Sequence, residues 1–311
     1  MSNPVSTTTA TDTLEASQWI EECYQGLTAY RFKITDTLFD QHSPFQHVQI
    51  VTTEAYGRML LLDGAVMTTE RDEFVYHEML SHIPLLAHPN PKRVLIIGGG
   101  DGGTVREVLK HPSVEHIDLC EIDGLVIEAS QKWLPSIAGK LTDPKVTISV
   151  ADGLAFTQEA AKQVKAGAQA PYDIVLIDST DPVGPGEVLF TPAFYQDVFD
   201  CLSANGIMAN QSESPMAQAA NFQAIFERLS GVFPVVAPYW ATVPTYPGGY
   251  WTWMFCSKAA GPLEHCNDAL AADIEQSTHF FNRQVHRAVF ALPNFMRRLL
   301  GQLPQTAGMK A

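Results

Sequence analysis

RVLIIGGGDGGTVREV (Arg93–Val108) decides the fold. An apolar run predicts a strand over Val94–Ile97, and it empties directly into Gly98-Gly99-Gly100-Asp101-Gly102-Gly103. The spacing predicts a helix from about Thr104. Working outward, HIDLCEID, VTISVADG, YDIVLIDST and GIMANQSE repeat the theme of apolar strands separated by helical patterns. Strands apolar on both faces and alternating with helices form a parallel sheet covered on both sides. The reading is a doubly wound α/β unit over roughly residues 90–260, and the last fifty residues read as helical. Upstream, HVQIV (His47–Val51), RMLLL (Arg58–Leu62) and AVMTT (Ala65–Thr69) are short β-rich runs. The turn signals Tyr56-Gly57 and Asp63-Gly64 make them hairpins. Phe74, Met79, Ile83 and Leu86 place a helix over Asp72–Leu86. The domain reading is a tail over 1–18 that reads as flexible, a β-stranded unit with a connecting helix over 19–88, and the α/β unit with a helical C-terminus over 89–311.

Composition narrows the function. The 311 residues carry 34 acidic against 20 basic side chains, a formal charge of −14. Phosphate backbones would be repelled, so no nucleic-acid partner is expected. Five cysteines without a C-x-x-C spacing point to a reducing compartment rather than to a disulfide framework or structural zinc. No apolar run is long enough to span a membrane, and the polar N-terminus lacks the blocks of a signal peptide, so a cytoplasmic protein with no membrane partner is expected.

The acids are the informative residues. Gly98, Gly100 and Gly103 fit G-x-G-x-x-G, with Glu121 23 residues on, at the end of the second strand. This geometry brings backbone close to a nucleotide or nucleoside and sets an acid on its ribose. Asp101 inside the loop would oppose a pyrophosphate but welcome an amine; alternatively it caps the helix behind it. Asp152, before Gly153, either accepts from an adenine amino group or caps the helix near Leu154. In DSTDPVGPGEVLF (Asp178–Phe190), Asp178 and Asp181 lie three apart in a loop that prolines and glycines keep irregular. Asp101, Glu121, Asp152, Asp178 and Asp181 all fall at carboxyl ends of strands, and such a convergence calls for a cationic ligand. No His/Cys set for a transition metal is present; magnesium or calcium would fit an Asp cluster, and so would a polycationic organic substrate.

Together TTERDEFVYHEML (Thr68–Leu80), VLIIGGGDGGTVREVLKHPSVE (Val94–Glu115), CEID (Cys120–Asp123), ADG (Ala151–Gly153), DSTDPVGPGEVLF, NQSESP (Asn210–Pro215) and VPTYPGG (Val243–Gly249) resemble the spermidine synthase family in kind and order. The resemblance covers approximately residues 19–257. It implies a methyltransferase-like, Rossmann-type sheet with a small N-terminal β-stranded domain, assembled as a homodimer or homotetramer. It also implies transfer of an aminopropyl group from decarboxylated S-adenosylmethionine, a co-substrate, to putrescine, with no separate cofactor and no metal. Positions matching Gln46, Asp101, Glu121, Asp152 and Gly153 would hold the donor. Those matching His77, Asp178, Asp181 and Tyr246 would border the amines, with Asp178 as the catalytic base. Tyr76, Pro185 and Gln211 sit in segments expected to line the same cleft. The sequence has Asp-Ser-Thr-Asp where Asp-Ser-Ser-Asp is commoner, and His77 where other members carry Gln. Another amine acceptor, or a small-molecule methyltransferase on the same fold, are the rival readings. Trp240, Trp251 and Trp253 either shape an amine tunnel or, as aromatics at strand spacing commonly do, fill core. TERDEF is either a lid or a charged helix start.

Overall fold

The computed structural model describes residues 19–24, 26–182 and 184–304; the expected tail over 1–18 lies outside them, as does the side chain of Pro185. Two sheets organise the chain. The first is antiparallel, in order β1 (Trp19–Tyr24), β2 (Thr28–His42), β3 (His47–Thr53), β4 (Gly57–Leu62) and β5 (Ala65–Thr69). Its hairpins fall at the expected turns, but β1 and the full length of β2 were not legible. β2 spans 15 residues, and its pairing with β3 shifts register between Ile34/Asp36 and Thr37/Phe39. Such bulges break the period-2 pattern by which strands are recognised.

Alternation along β3 and β4 gives this sheet two apolar faces. Val48, Ile50 and Leu60 pack against Val126, Ala129, Leu134 and Ile137 of the α/β unit. Val51, Met59 and Leu61 face the other way, against Ile20, Phe32 and Ile34. The first contact fixes the small sheet over the carboxyl edge of the large one.

The large sheet has the order β11 (Val235–Thr242), β12 (Tyr250–Ser257), β10 (Leu202–Gln211), β9 (Tyr172–Asp178), β6 (Arg93–Gly98), β7 (His116–Glu121) and β8 (Val146–Val150). β10, β9, β6, β7 and β8 run parallel, as their two-sided apolarity requires. β12 runs antiparallel to β10 and pairs with β11, a hairpin that the expected all-parallel sheet lacks. The order in which strands are added reverses between β6 and β9, which themselves run parallel. This switch point opens a crevice where loops diverge to opposite faces, and it is where open α/β sheets bind ligands.

Helix α1 (Glu73–Ala87) is buried on nearly all sides. Met79, Leu80, Ile83 and Leu86 share one core with β10–β12 and with Ile274, Phe281 and Val289 of the C-terminal segment. A helix so enclosed must satisfy any polar group it carries. Glu78, 1% exposed, does so by accepting N–H bonds from His279 (2.7 Å), Phe280 (2.8 Å) and Phe281 (2.7 Å). The C-terminal segment is thereby tied over α1 rather than left free. Trp253 is fully buried in the same core. Glu78→Ala removes three charge-assisted bonds and orphans their donors. It should lower the unfolding free energy by about 3 kcal/mol and admit protease between residues 275 and 290, read by chemical denaturation and limited proteolysis.

Candidate active site

The crevice at the switch point collects most of the expected site residues. Gln46, Tyr76, His77, Gly98, Gly100, Asp101, Glu121, Asp152, Gly153, Asp178, Asp181, Gln211 and Tyr246 all line one cleft. Glu22 and Tyr24 of β1 line it too; no local signal marks them, because β1 is a short strand on a bulged partner. Six of the described lining side chains are carboxylic acids (Glu22, Asp101, Glu121, Asp152, Asp178 and Asp181), and none is Lys or Arg. His77 is the basic side chain among them.

The glycines serve packing as much as ligand approach. Gly98 has φ +80°, and a Cβ there would sit 2.1 Å from the Asp178 carbonyl oxygen. That carbonyl accepts from Gly99 N at 2.9 Å, stitching the loop after β6 to the end of β9. Gly103 opens α2 (Gly103–Val108), and its Cβ would fall 2.3 Å from the His77 ring. The imidazole is therefore packed directly on the α2 backbone.

His77 bridges two carboxylates. Its Nδ1 lies 2.6 Å from Glu73 Oε2 and its Nε2 3.3 Å from Asp101 Oδ2. Although burial opposes its charge, Asp101 and Glu73 hold His77 well above the ordinary imidazole range. Desolvation opposes the charge of the half-buried Asp101, yet His77 keeps it below the usual carboxylate range, and its Oδ1 accepts from Gly103 N at 2.9 Å. Asp178 accepts from Thr104 Oγ1 at 2.6 Å and from the Tyr76 hydroxyl. Burial and the neighbouring Asp101 charge nevertheless raise Asp178. Two adjacent carboxylates thus diverge, one held anionic and one made a better proton acceptor. One polar atom from each of His77, Asp101 and Asp178 lies within 4.8 Å of the others; with the imidazole charged, the two carboxylates are what an ammonium would meet there.

At the end of β7, Glu121 accepts from Gly100 N at 3.1 Å and Asp123 N at 2.9 Å, and burial pushes it up to about 7. Asp123 was not singled out from sequence. It caps α3 (Gly124–Trp133) through Leu125 N, and its other oxygen accepts from Ser43 Oγ (2.7 Å) and Gln46 Nε2 (2.9 Å). Gln46 is thereby held across the two sheets' junction. Asp152 caps α5 (Gly153–Lys165) through Leu154 N at 2.8 Å, as the capping reading expects, and it also lines the cleft.

A second acidic group lies beyond Asp178. Asp181 Oδ2 lies 3.3 Å from both the Tyr24 hydroxyl and Gln218 Nε2, which also bond each other. Burial raises Asp181. Glu22, on β1, is pushed up to about 7 by burial, with Asp181 adding to the rise. Glu213 is fully buried, sits at φ +71°, and has neither carboxylate oxygen bonded among the described residues. Burial and Asp181 push it up to about 9. A buried, unpartnered carboxyl on left-handed backbone is a strained arrangement that a ligand would relieve. The signal for it was present in NQSESP, but only Gln211 was taken from that motif. Gln211 itself braces the loop after β9, donating to the Thr180 carbonyl at 3.3 Å and accepting from Glu213 N at 3.0 Å.

Tyr246 donates its phenol to the Met67 carbonyl at 2.5 Å, so its ring closes the cleft wall with the hydroxyl already engaged. Trp251 is core that also lines the cleft, whereas Trp240 donates to the Ala291 carbonyl at 3.2 Å. TERDEF is more than a helix start. Asp72 accepts from Thr245 N and Oγ1, and Glu73 joins the His77 bridge.

These raised carboxyls have a sign in stability. A group with a folded pKa above its unfolded value contributes least at high pH. For Glu213 that stability is complete below about 4.5 and is lost as pH rises through about 9. Glu213→Gln should raise Tm by a few degrees at pH 9 and flatten the decline of the unliganded protein between pH 6 and 9.5, measured by differential scanning fluorimetry.

Residues 73–268 match the spermine/spermidine synthase domain, and residues 18–70 match the spermidine synthase tetramerisation domain. Polyamine aminopropyltransferase from Bacillus subtilis is 45% identical over 268 residues, 86% of this chain and 93% of that protein. The Thermoanaerobacter sp. enzyme of the same name is 42% identical over 286 residues, 92% of this chain and 99% of the other. A crystal structure of spermidine synthase in complex with the transition-state analogue AdoDATO superposes with a TM-score of 0.88 at 40% identity, over 93% of this chain and 97% of that one. Spermidine synthase from Thermotoga maritima gives 0.86 at 40% identity, over 92% and 94%. With its cleft of carboxylates at the switch point and both family domains matched in order over residues 18–70 and 73–268, the chain belongs to the spermine/spermidine synthase family of polyamine aminopropyltransferases.

Proposed function

We propose that this aminopropyltransferase is a spermidine synthase, using decarboxylated S-adenosylmethionine and putrescine to make spermidine and 5′-methylthioadenosine. The observation that carries the reading is the cleft's charge: six acids and no Lys or Arg among its described lining residues. In it Asp101 neighbours Asp178 and Asp181 neighbours Glu22, with the buried Glu213 acting on Asp181 from outside that lining. A donor carrying one ammonium and an acceptor carrying two supply the counter-charges. The relative captured with a transition-state analogue supports the same chemistry.

In this reading Gln46, Glu121, Asp152 and Gly153 hold the nucleoside, and the loop of Gly98, Gly100 and Gly103 lets it approach. Asp101 binds the donor's terminal ammonium. Ordinary S-adenosylmethionine would set a carboxylate against that acid, which disfavours a methyltransferase. The donor's carbons are activated by its own sulfonium, so the reaction needs no metal and no separate cofactor. What must be made is the nucleophile. An amine of reference pKa about 10.4 is charged at pH 7, and removing its proton costs about 4.6 kcal/mol. Asp178, raised by burial and by Asp101, takes that proton directly or through water. The freed amine attacks the carbon next to sulfur, and the C–S bond breaks with its electron pair going to sulfur.

His77, Tyr76, Tyr246 and Gln211 shape the wall around the reacting amine, and Asp181 with Glu22 and Glu213 takes the acceptor's far ammonium. Alignment of nucleophile and carbon is worth as much as the proton transfer. The tetramerisation-domain match supports a homodimer or homotetramer. A cytoplasmic enzyme without nucleic-acid or membrane partners suits the −14 charge and the site's need for small cationic substrates.

A product assay tests this: purified protein, decarboxylated S-adenosylmethionine and single amines, with methylthioadenosine and polyamine read by mass spectrometry. Spermidine forms from putrescine, and Asp178→Ala lowers kcat by about 10²–10⁴-fold. Product from spermidine or cadaverine alone would move the acceptor and keep the mechanism. Methylation of an amine by ordinary S-adenosylmethionine, with no methylthioadenosine formed, would replace the reading.

A further inference from the structure

The buried bridge at His77 continues away from the cleft, and the reaction as written above uses only its near end. Glu73 Oε2 accepts from Arg106 at 2.8 Å as well as meeting His77 Nδ1. Arg106 turns its Nε to Glu107 Oε1 at 2.8 Å. Glu107 Oε2 meets His82 Nε2 at 3.0 Å and Lys110 Nζ at 2.6 Å, and His82 Nδ1 meets His111 Nε2 at 3.0 Å. Glu73, His77, His82, Glu107 and His111 are all buried. From Asp101 through His77, Glu73 and Arg106 to Glu107 the charges alternate, and between α1 and α2 each member is held in place by its neighbours.

The far end is anchored by Arg106 and Glu107, both of α2, so Glu73 has no freedom to leave His77. The groups facing the imidazole are Glu73 and Tyr76 from α1, Asp101 from the loop after β6, and Asp178 from the end of β9. Arg106 of α2 acts on it through Glu73. With an acid on each ring nitrogen, both nitrogens act as donors only when the ring is an imidazolium. A neutral ring would present one lone pair to a carboxylate.

We infer that Glu73 is a positioning residue that holds His77 as an imidazolium, so that Asp101 stays an oriented anion for the donor's ammonium while Asp178 is left to accept the proton. Glu73 sits behind the imidazole, outside the residues that line the cleft, and acts through it. The inference rests on the proposed role of Asp101, and it adds the residue that keeps two adjacent carboxylates in different protonation states. The directions of the shifts agree: His77 up, Asp101 down, Asp178 up.

Two measurements test it. Nitrogen-detected NMR of the wild-type imidazoles, with His77 assigned by its loss in His77→Gln, should show both ring nitrogens protonated at pH 8. A neutral His77 ring at that pH overturns the inference. Calorimetry then compares decarboxylated S-adenosylmethionine with methylthioadenosine, which shares the nucleoside but lacks the amine. Glu73→Gln should weaken the first by about tenfold and leave the second within about twofold, whereas general disorder of the site would weaken both. Glu73→Asp, which keeps the charge, should retain the wild-type ratio. If it does not, or if Glu73→Gln leaves the ratio unchanged while Asp101→Asn collapses it, the inference fails and the role of Asp101 stands. If Asp101→Asn also leaves the ratio unchanged, the reading of Asp101 is what fails. Should Glu73→Gln not fold, the wild-type ring state and the Glu73→Asp ratio still decide.

Discussion

A carboxylate taken out of water must meet a positive charge or take up a proton, and this constraint organises the whole carboxyl edge of the large sheet. Acids arrive there from the ends of β6, β7, β9 and β10 and, across the junction, from β1. One of them, Asp101, is given a resident partner in His77. Glu22, Glu121, Asp178, Asp181 and Glu213 are instead all raised, their first cause being burial. A cleft in this condition is short of cations until a ligand brings them. Polycation binding is therefore the state toward which the fold is electrostatically biased, and the biosynthetic chemistry of the family follows from what else is placed beside it.

The backbone makes this crowding possible. Each glycine after β6 clears a site side chain: Gly98 the Asp178 carbonyl, Gly100 the Glu121 carboxylate, Gly103 the His77 ring. A motif usually read as room for a ligand is here also room for the residues that act on it. The small antiparallel sheet contributes equally. Its β1 brings Glu22 and Tyr24 to the cleft, and its β2–β3 turn is pinned by Asp123. Matching residues 18–70 to a tetramerisation domain thus understates it, since the same strands complete the Asp181 end of the cleft within one chain.

The legibility of these features in sequence divides along physical lines. The parallel strands, the acids at their ends and the glycine loop were readable because apolar runs and strand-terminal acids are local signals. The β11–β12 hairpin and β1 were not, because the first lies past a pattern already assigned to parallel strands and the second pairs with a bulged partner. Among site residues, Asp101, Asp178 and Asp181 stood out by chemistry, while His77, Tyr76, Gln46 and Tyr246 came only with the family resemblance. Glu73, Asp123 and Glu213 escaped because their importance is relational. Nothing in the letters TERDEF says that its last acid will share an imidazole with an acid 28 residues later; α1 and the loop after β6 must first be packed together.

The two acidic groups also rest on different scaffolds. Asp101 and Asp178 are tied to α1 and α2 through His77, Glu73 and Thr104. Asp181, Glu22 and Glu213 are tied to β1, to Gln211 at the end of β10 and to Gln218 before α7 (Ala219–Ser230). On the proposed reading the first group sets the reaction and the second sets how far away an acceptor's other ammonium must lie. A change in β1 or in the loop after β10 can then alter acceptor length without disturbing proton transfer. The strained backbone at Glu213 fits that division: φ +71° in a non-glycine residue is a conformation the surrounding fold must impose, and it is imposed beside the group that, on the proposed reading, selects among amines.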